Sequence, residues 1–322
     1  MNPAFPVIFL TTLIGVGQGL FLALYGVEML ALTGVIAAPD ARSFGALGSA
    51  ISMLFLSGGL VASFLHLGHP ERAWRAVAMW RTSWLSREVI VLPLFMMLVS
   101  LYGLTQYFGW HAGFGEASKL VALIVGVTAF IVCGLLFVCT GMIYACIRFL
   151  QEWASPLTLV NYFLLGVASG CTLAAGFAAL TAPQYTRVLV AVAIVLTLAG
   201  FVSRSASLYR NARLKPKSTL QTATGIRHPK IVQKAQGAMG GSFNTREFFH
   251  RKSPQFFRSI KWIFLVLVFP APVVLLEIGL EGAWIPLLLA AFIVQYAGLI
   301  AERWFFFAQA NHPQNLYYQQ IS

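Results

Sequence analysis

His66 and Glu88 are the residues of this chain whose chemistry and placement ask for a function. They bracket a connection between two long apolar segments, Phe64-Leu-His66-Leu-Gly68-His69-Pro70-Glu71-Arg72-Ala-Trp74-Arg75, continuing to Trp80-Arg81-Thr-Ser-Trp84-Leu-Ser-Arg87-Glu88. These 25 residues hold four arginines, three tryptophans, two histidines and two acids. Tryptophan rings and snorkelling arginines concentrate where a membrane meets water. The connection is therefore interfacial. His66 ends one apolar segment and Glu88 begins the next, and ionisable groups at membrane depth are costly enough to be functional candidates by default.

Proton exchange with a redox carrier is the chemistry this set suits. A quinone takes up protons on reduction, so its site needs a group that exchanges them, hydrogen-bond donors for its carbonyls and an apolar trough for its tail. His66 titrates near neutrality, Glu88 relays protons towards water, and Arg72, Arg75, Arg81 or Trp74 supplies donors or holds negative charge. In the plainer reading His66 caps a helix and Glu88 pairs with Arg87 or Arg81 at the headgroups. The chemistry of the residues leaves both readings open. A six-coordinate b-type haem is not expected, because it needs two facing axial ligands and His66 is the one histidine near membrane depth. His69, His111, His228, His250 and His312 fall outside the apolar segments. Cys133, Cys139, Cys146 and Cys171 lie inside them at spacings that match neither zinc nor iron–sulfur patterns, and read as buried thiols.

The elements that must position these groups are membrane helices. The chain has 322 residues, 58% of them hydrophobic and only 10% charged, far from the composition of soluble domains. Apolar runs long enough to span about 30 Å of hydrocarbon occur at roughly 5–36, 44–68, 86–108, 118–149, 156–181, 187–210, 259–280 and 284–308. The expectation is an all-α integral membrane bundle of eight transmembrane helices. Met1-Asn-Pro-Ala-Phe-Pro lacks the basic start of a cleavable signal, so the first helix is expected to stay. That helix carries Gln18 in Gly15-Val-Gly17-Gln18-Gly19, where glycines allow close helix approach and a membrane glutamine bonds across the contact, with a cofactor-binding role at the quinone site as the other reading. Glu28 reads as a residue near its far end.

Residues 211–258 form a long basic loop between helices 6 and 7, in an otherwise single membrane domain spanning 1–322. Its Gly237-Ala-Met-Gly240-Gly241-Ser-Phe run and the Phe-Phe-His250 that follows suggest a segment that docks a partner. No Walker spacing follows the glycines, and nucleic acid is not an expected partner. With eight spans, 19 lysines and arginines share the side of both termini, against Arg42, Lys119 and Arg187 opposite. The positive-inside rule then places both termini, the 64–88 connection and the basic loop in the cytoplasm.

The run Phe64-Leu-His66-Leu-Gly68-x-Pro70-x-Arg72-Ala-Trp74, with Trp80-Arg81-x-Ser83-Trp84-Leu-Ser-Arg87-Glu88, closely resembles the signature of the DmsC-type membrane anchor subunit of dimethyl sulfoxide reductase and related molybdoenzymes. Gly17-Gln18 looks like the first helix of that family, and the eight-span plan is similar over most of the chain. The resemblance implies an assembly of three subunits in a bacterial inner membrane: a molybdopterin catalytic subunit, a subunit with 4Fe–4S clusters, and this anchor, which binds menaquinone or ubiquinone without haem. It assigns the quinone-site histidine to His66 and the linked glutamate to Glu88. The long basic loop and the charge sidedness depart from the dimethyl sulfoxide reductase pattern. They are similar to the anchor of the cytoplasmic, sulfite-oxidising SoeABC type, which implies a sulfite:quinone oxidoreductase. An anchor for a dimethyl sulfoxide or polysulfide reductase that oxidises menaquinol is the alternative within the class. A transporter is disfavoured by the lack of internal repeats and of paired interrupted helices, and a structural anchor without quinone chemistry is the remaining reading.

Overall fold

The computed structural model describes residues 1–37, 40–65, 67–108, 115–234 and 248–316, except for the side chains of residues 41 and 115–119. His66, residues 235–247 of the basic loop and residues 109–114 lie outside the described residues. Eight helical segments are long and apolar enough to cross a bilayer. Six of them are α1 (Phe5–Leu32), α2 (Leu47–Phe64), α3 (Trp84–Phe108), α4 (Gly115–Ala145), α5 (Pro156–Thr181) and α6 (Thr186–Ala212). A short α7 (Leu220–Thr224) follows within the basic loop, then α8 (Pro254–Val268), α9 (Pro270–Glu281) and α10 (Ile285–Ala308). No strand occurs among the described residues, and the all-α expectation holds.

The sequence reading departs from the structure at one break and at several helix ends, α2 stopping at Phe64 rather than 68 and α4 at Ala145 rather than 149. It expects one continuous helix at 259–280, but this span starts at Pro254 and breaks between α8 and α9. The Phe269 backbone is distorted from the ideal helix (φ −112°, ψ −77°), and Pro270 has no amide with which to continue the ladder. The apolar run of the first helix is expected to reach residue 36, yet α1 stops at Leu32. The Gly34 amide closes the last turn on the Ala31 carbonyl at 3.0 Å, and Gly34 itself takes φ +75°, which suits glycine at a helix end. Before α2, Asp40 opens a π-helical turn by accepting from the Ser43 hydroxyl at 2.6 Å and the Ser43 amide at 2.7 Å. Those two donors hold its carboxyl below the ordinary range.

Helices α1 and α5 form the enclosed centre of the bundle. Gly15 and Gly19 of α1 face Gly166 and Gly170 of α5 so closely that a Cβ on Gly170 would overlap the Gly19 carbonyl carbon. Small residues four apart on both helices make this approach possible, and without a hydrophobic driving force in lipid such packing holds the helices together. Around them Phe21 meets the rings of Phe95 and Tyr102 edge-on at 5.5 Å, tying α1 to α3.

Both ends of the described chain meet at one end of the bundle, where the Met1 amine donates to the carbonyls of Ala308 (3.2 Å) and Ala310 (2.8 Å). With eight spans, the 2–3, 4–5 and 6–7 connections share that end, the basic end of the molecule. At the other end Glu28 accepts hydrogen bonds from the Tyr102 hydroxyl and, at 3.2 Å, from Gln106.

Candidate functional site

The connection after α2 lies on the surface of the basic end. Pro70 starts a 3-10 helix, Pro70–Met79, none of whose residues is buried. Its missing amide would be unpaired in the first turn in any case. Three residues per turn place Trp74, Val77 and Trp80 along one edge, with Trp74 71% and Trp80 52% exposed. The arginines stack on these rings. Arg75 lies over Trp74 at 5.6 Å, Arg81 over Trp80 at 5.4 Å and Arg87 over Trp84 at 4.2 Å. Arg72 lies 3.6 Å from Glu71, which also takes a hydrogen bond from His69 at 3.0 Å. For Arg75 and Arg81, cation–π pairing leaves the N–H edges turned to face headgroups or a protein partner.

Glu88 lies in a different environment. It is five residues into α3 and only 6% exposed, and it accepts a hydrogen bond from the Thr140 hydroxyl of α4. The pairing with Arg87 is not formed. That guanidinium donates instead to the Trp80 carbonyl at 2.9 Å and the Arg81 carbonyl at 2.8 Å, closing the turn into α3. Arg87 thus ties the Arg81 backbone to the first turn of α3, with Glu88 next to it in sequence but turned inward, while Arg72 and Trp74 stay on the exposed surface. Gln18 is 1% exposed and donates to the Cys133 carbonyl of α4 at 3.1 Å. Cys133 precedes Thr140 by seven residues, about two helical turns, so Gln18 stands apart from Glu88. Of these candidates, only His66 lies outside the described residues.

Sequence reasoning missed a second group of ionisable residues behind Glu88. Arg204 of α6 and Glu302 and Arg303 of α10 count in the sequence as flank charges, yet they are 1%, 0% and 4% exposed. Glu302 lies between the two cations, 2.9 Å from Arg303 Nη1 and 2.7 Å from Arg204 Nε. The signal was present. All three lie about a helical turn or more inside the apolar segments that end at Ala212 and Ala308, where the rule that drew attention to His66 and Glu88 applies equally. Removing both arginines from the charge count leaves 17 against 3 (19 less the buried 2), so the sidedness survives. Among the described residues, no group of three or more histidines, cysteines and acids is placed to hold a metal ion.

A buried carboxylate with a hydroxyl donor lies at the start of α3, next in sequence to the exposed arginine–tryptophan segment. Residues 1–318 match the family described as DMSO reductase anchor subunit (DmsC). The chain is 53% identical over 326 residues to the C subunit of sulfite dehydrogenase from Allochromatium vinosum, with 100% of both chains covered. The chain is a multi-pass membrane protein and belongs to the DmsC family of DMSO reductase anchor subunits.

Proposed function

We propose that this chain is the quinone-reactive anchor of a three-subunit molybdopterin and iron–sulfur complex that oxidises sulfite on the cytoplasmic face of a bacterial inner membrane. The observation that carries this reading is Glu88, a buried acid bonded by Thr140 next to the interfacial Arg–Trp segment. The likeness to a sulfite dehydrogenase subunit supports sulfite over other substrates of the class. Sulfite and water give sulfate, two electrons and two protons; the electrons leave through the iron–sulfur partner, and ubiquinone or menaquinone accepts two electrons and two protons to become quinol. In this reading His66 and Glu88 deliver protons to the quinone oxygens. Arg72, Arg81 and Trp74 orient the headgroup from the surface, and Gln18 contributes by fixing α1 against α4. The basic loop 211–258 docks the partner subunits, and the charge sidedness supports the cytoplasmic placement.

The test is a comparison of the whole complex with its two soluble subunits alone. Given sulfite, the complex is expected to reduce a short-chain ubiquinone, while the soluble pair reduces only artificial dyes. Equal quinone reduction by the pair without this chain contradicts the proposal.

A further inference from the structure

The buried ionic group does not stand alone, and what surrounds it links Glu88 to the water at the basic end. Thr140, the partner of Glu88, and Tyr144 lie one turn apart on α4, so they share a face. The Tyr144 ring stacks on Tyr162 of α5 with centroids 5.5 Å apart. The Arg303 guanidinium in turn covers the Tyr162 ring, 3.8 Å from its centroid. Arg303 bonds Glu302, and Glu302 meets Arg204 in an ion pair that is close but not aligned as a hydrogen bond.

Next to this chain of contacts is a hollow of about 10 Å³ lined by Tyr162, Asn161, Arg204, Ser207, Arg210 and Glu152, among others. That is about the space one water needs. The hollow is polar and its lining is under-bonded. Asn161 donates to Ser207 at 2.7 Å, but Asn161 Oδ1 and Arg204 Nη2 have no protein partner among the described residues. Buried polar atoms are rarely left unbonded, and ordered water is their usual partner. Glu152 and Asn211 line both this hollow and an open cavity of about 710 Å³ at the basic end, with Lys215, Lys217 and His250 on its walls.

We infer that Thr140, Tyr144, Tyr162, Asn161 and the Arg204–Glu302–Arg303 group form a hydrated proton relay from the basic-end cavity at Glu152 to Glu88. The inference rests on the proposed quinone reading. Two protons enter per quinone reduced, replacing at Glu88 what the quinone oxygens take. Arg204 and Arg303 flank the Glu302 carboxylate at 2.7 and 2.9 Å, and the hydroxyls and water pass the proton on. The electrons come from the iron–sulfur partner and take no part in this path. A structural clamp alone would need the ions but not the unpartnered Asn161 Oδ1 beside a water-sized hollow.

Tyr162→Phe tests this, because it keeps the ring that Arg303 covers and removes only the hydroxyl; Asn161→Ala is the second variant and is read in the same way. Each is compared with the unaltered complex in native membranes, using dye-linked turnover as the measure of assembly. Quinone-linked turnover is expected to fall about tenfold or more, with a larger H2O/D2O rate ratio and unchanged affinity for a quinone-analogue inhibitor. Full quinone-linked turnover, an unchanged isotope ratio or a matching fall in dye-linked turnover overturns the relay. If Glu88→Gln loses quinone-linked turnover while both relay variants keep it, the relay fails and the quinone reading stands. If all three keep it, both fail.

Discussion

Replacing Glu88 with glutamine is expected to lower quinone-linked turnover of the assembled complex by about 100-fold or more, while dye-linked turnover at the molybdenum subunit stays. The magnitude follows from the role. A positioned acid or base contributes roughly 10²–10⁴-fold to a proton-coupled step, and glutamine keeps the size of the side chain and its ability to accept from Thr140 but carries no exchangeable acid proton. Packing is preserved, so little stability is at stake. Glu88→Asp keeps the acid but shortens its reach to Thr140, and an intermediate rate is expected. His66→Ala tests the partner group from the other end of the connection, with the same pattern of lost quinone-linked and retained dye-linked turnover. Steady-state assays with both acceptors on one membrane preparation check these results, and normal quinone turnover in Glu88→Gln would remove proton delivery from its role.

The second large effect is on stability. Glu302→Ala leaves Arg204 and Arg303 buried, 1% and 4% exposed, without the carboxylate that sits between them. Removing one partner of a buried ion pair typically costs about 3–5 kcal/mol, because the remaining charge is uncompensated. Here two charges remain, on α6 and α10, so the variant is expected to lose most of its accumulation in membranes or to inactivate at a markedly lower temperature. Adding Arg204→Leu to Glu302→Ala takes away one stranded cation and is expected to restore part of the loss. Thermal inactivation of the solubilised complex measures both, and a Glu302→Ala complex as heat-resistant as the unaltered one would contradict the account of this cluster.

Much of the fold was legible because lipid imposes length and hydropathy on every span. All eight spans were found, with ends off by at most five residues, as at 259 expected and 254 observed. The glycines at Gly15 and Gly19 announced a close helix approach, and α5 answers with Gly166 and Gly170. The break at Phe269–Pro270 was hidden because hydropathy runs unbroken across it, even though the proline was visible. Glu88 was legible as an ionisable group at a membrane edge. Arg204, Glu302 and Arg303 were not, because they adjoin basic flanks, and a charge count does not say which charges turn inward. Only the packing of α5, α6 and α10 shows that Tyr162 and Asn161 complete the cluster.

The proposed seat of a quinone is tested by photolabelling the complex in its native membrane with a quinone that carries a photoreactive group on the ring, followed by mapping of the adducts on this chain. The account predicts adducts within residues 64–88 and on α4 near Thr140. Adducts confined to the opposite end of the bundle, around Glu28, Tyr102 and Gln106, with none near Glu88, would contradict it.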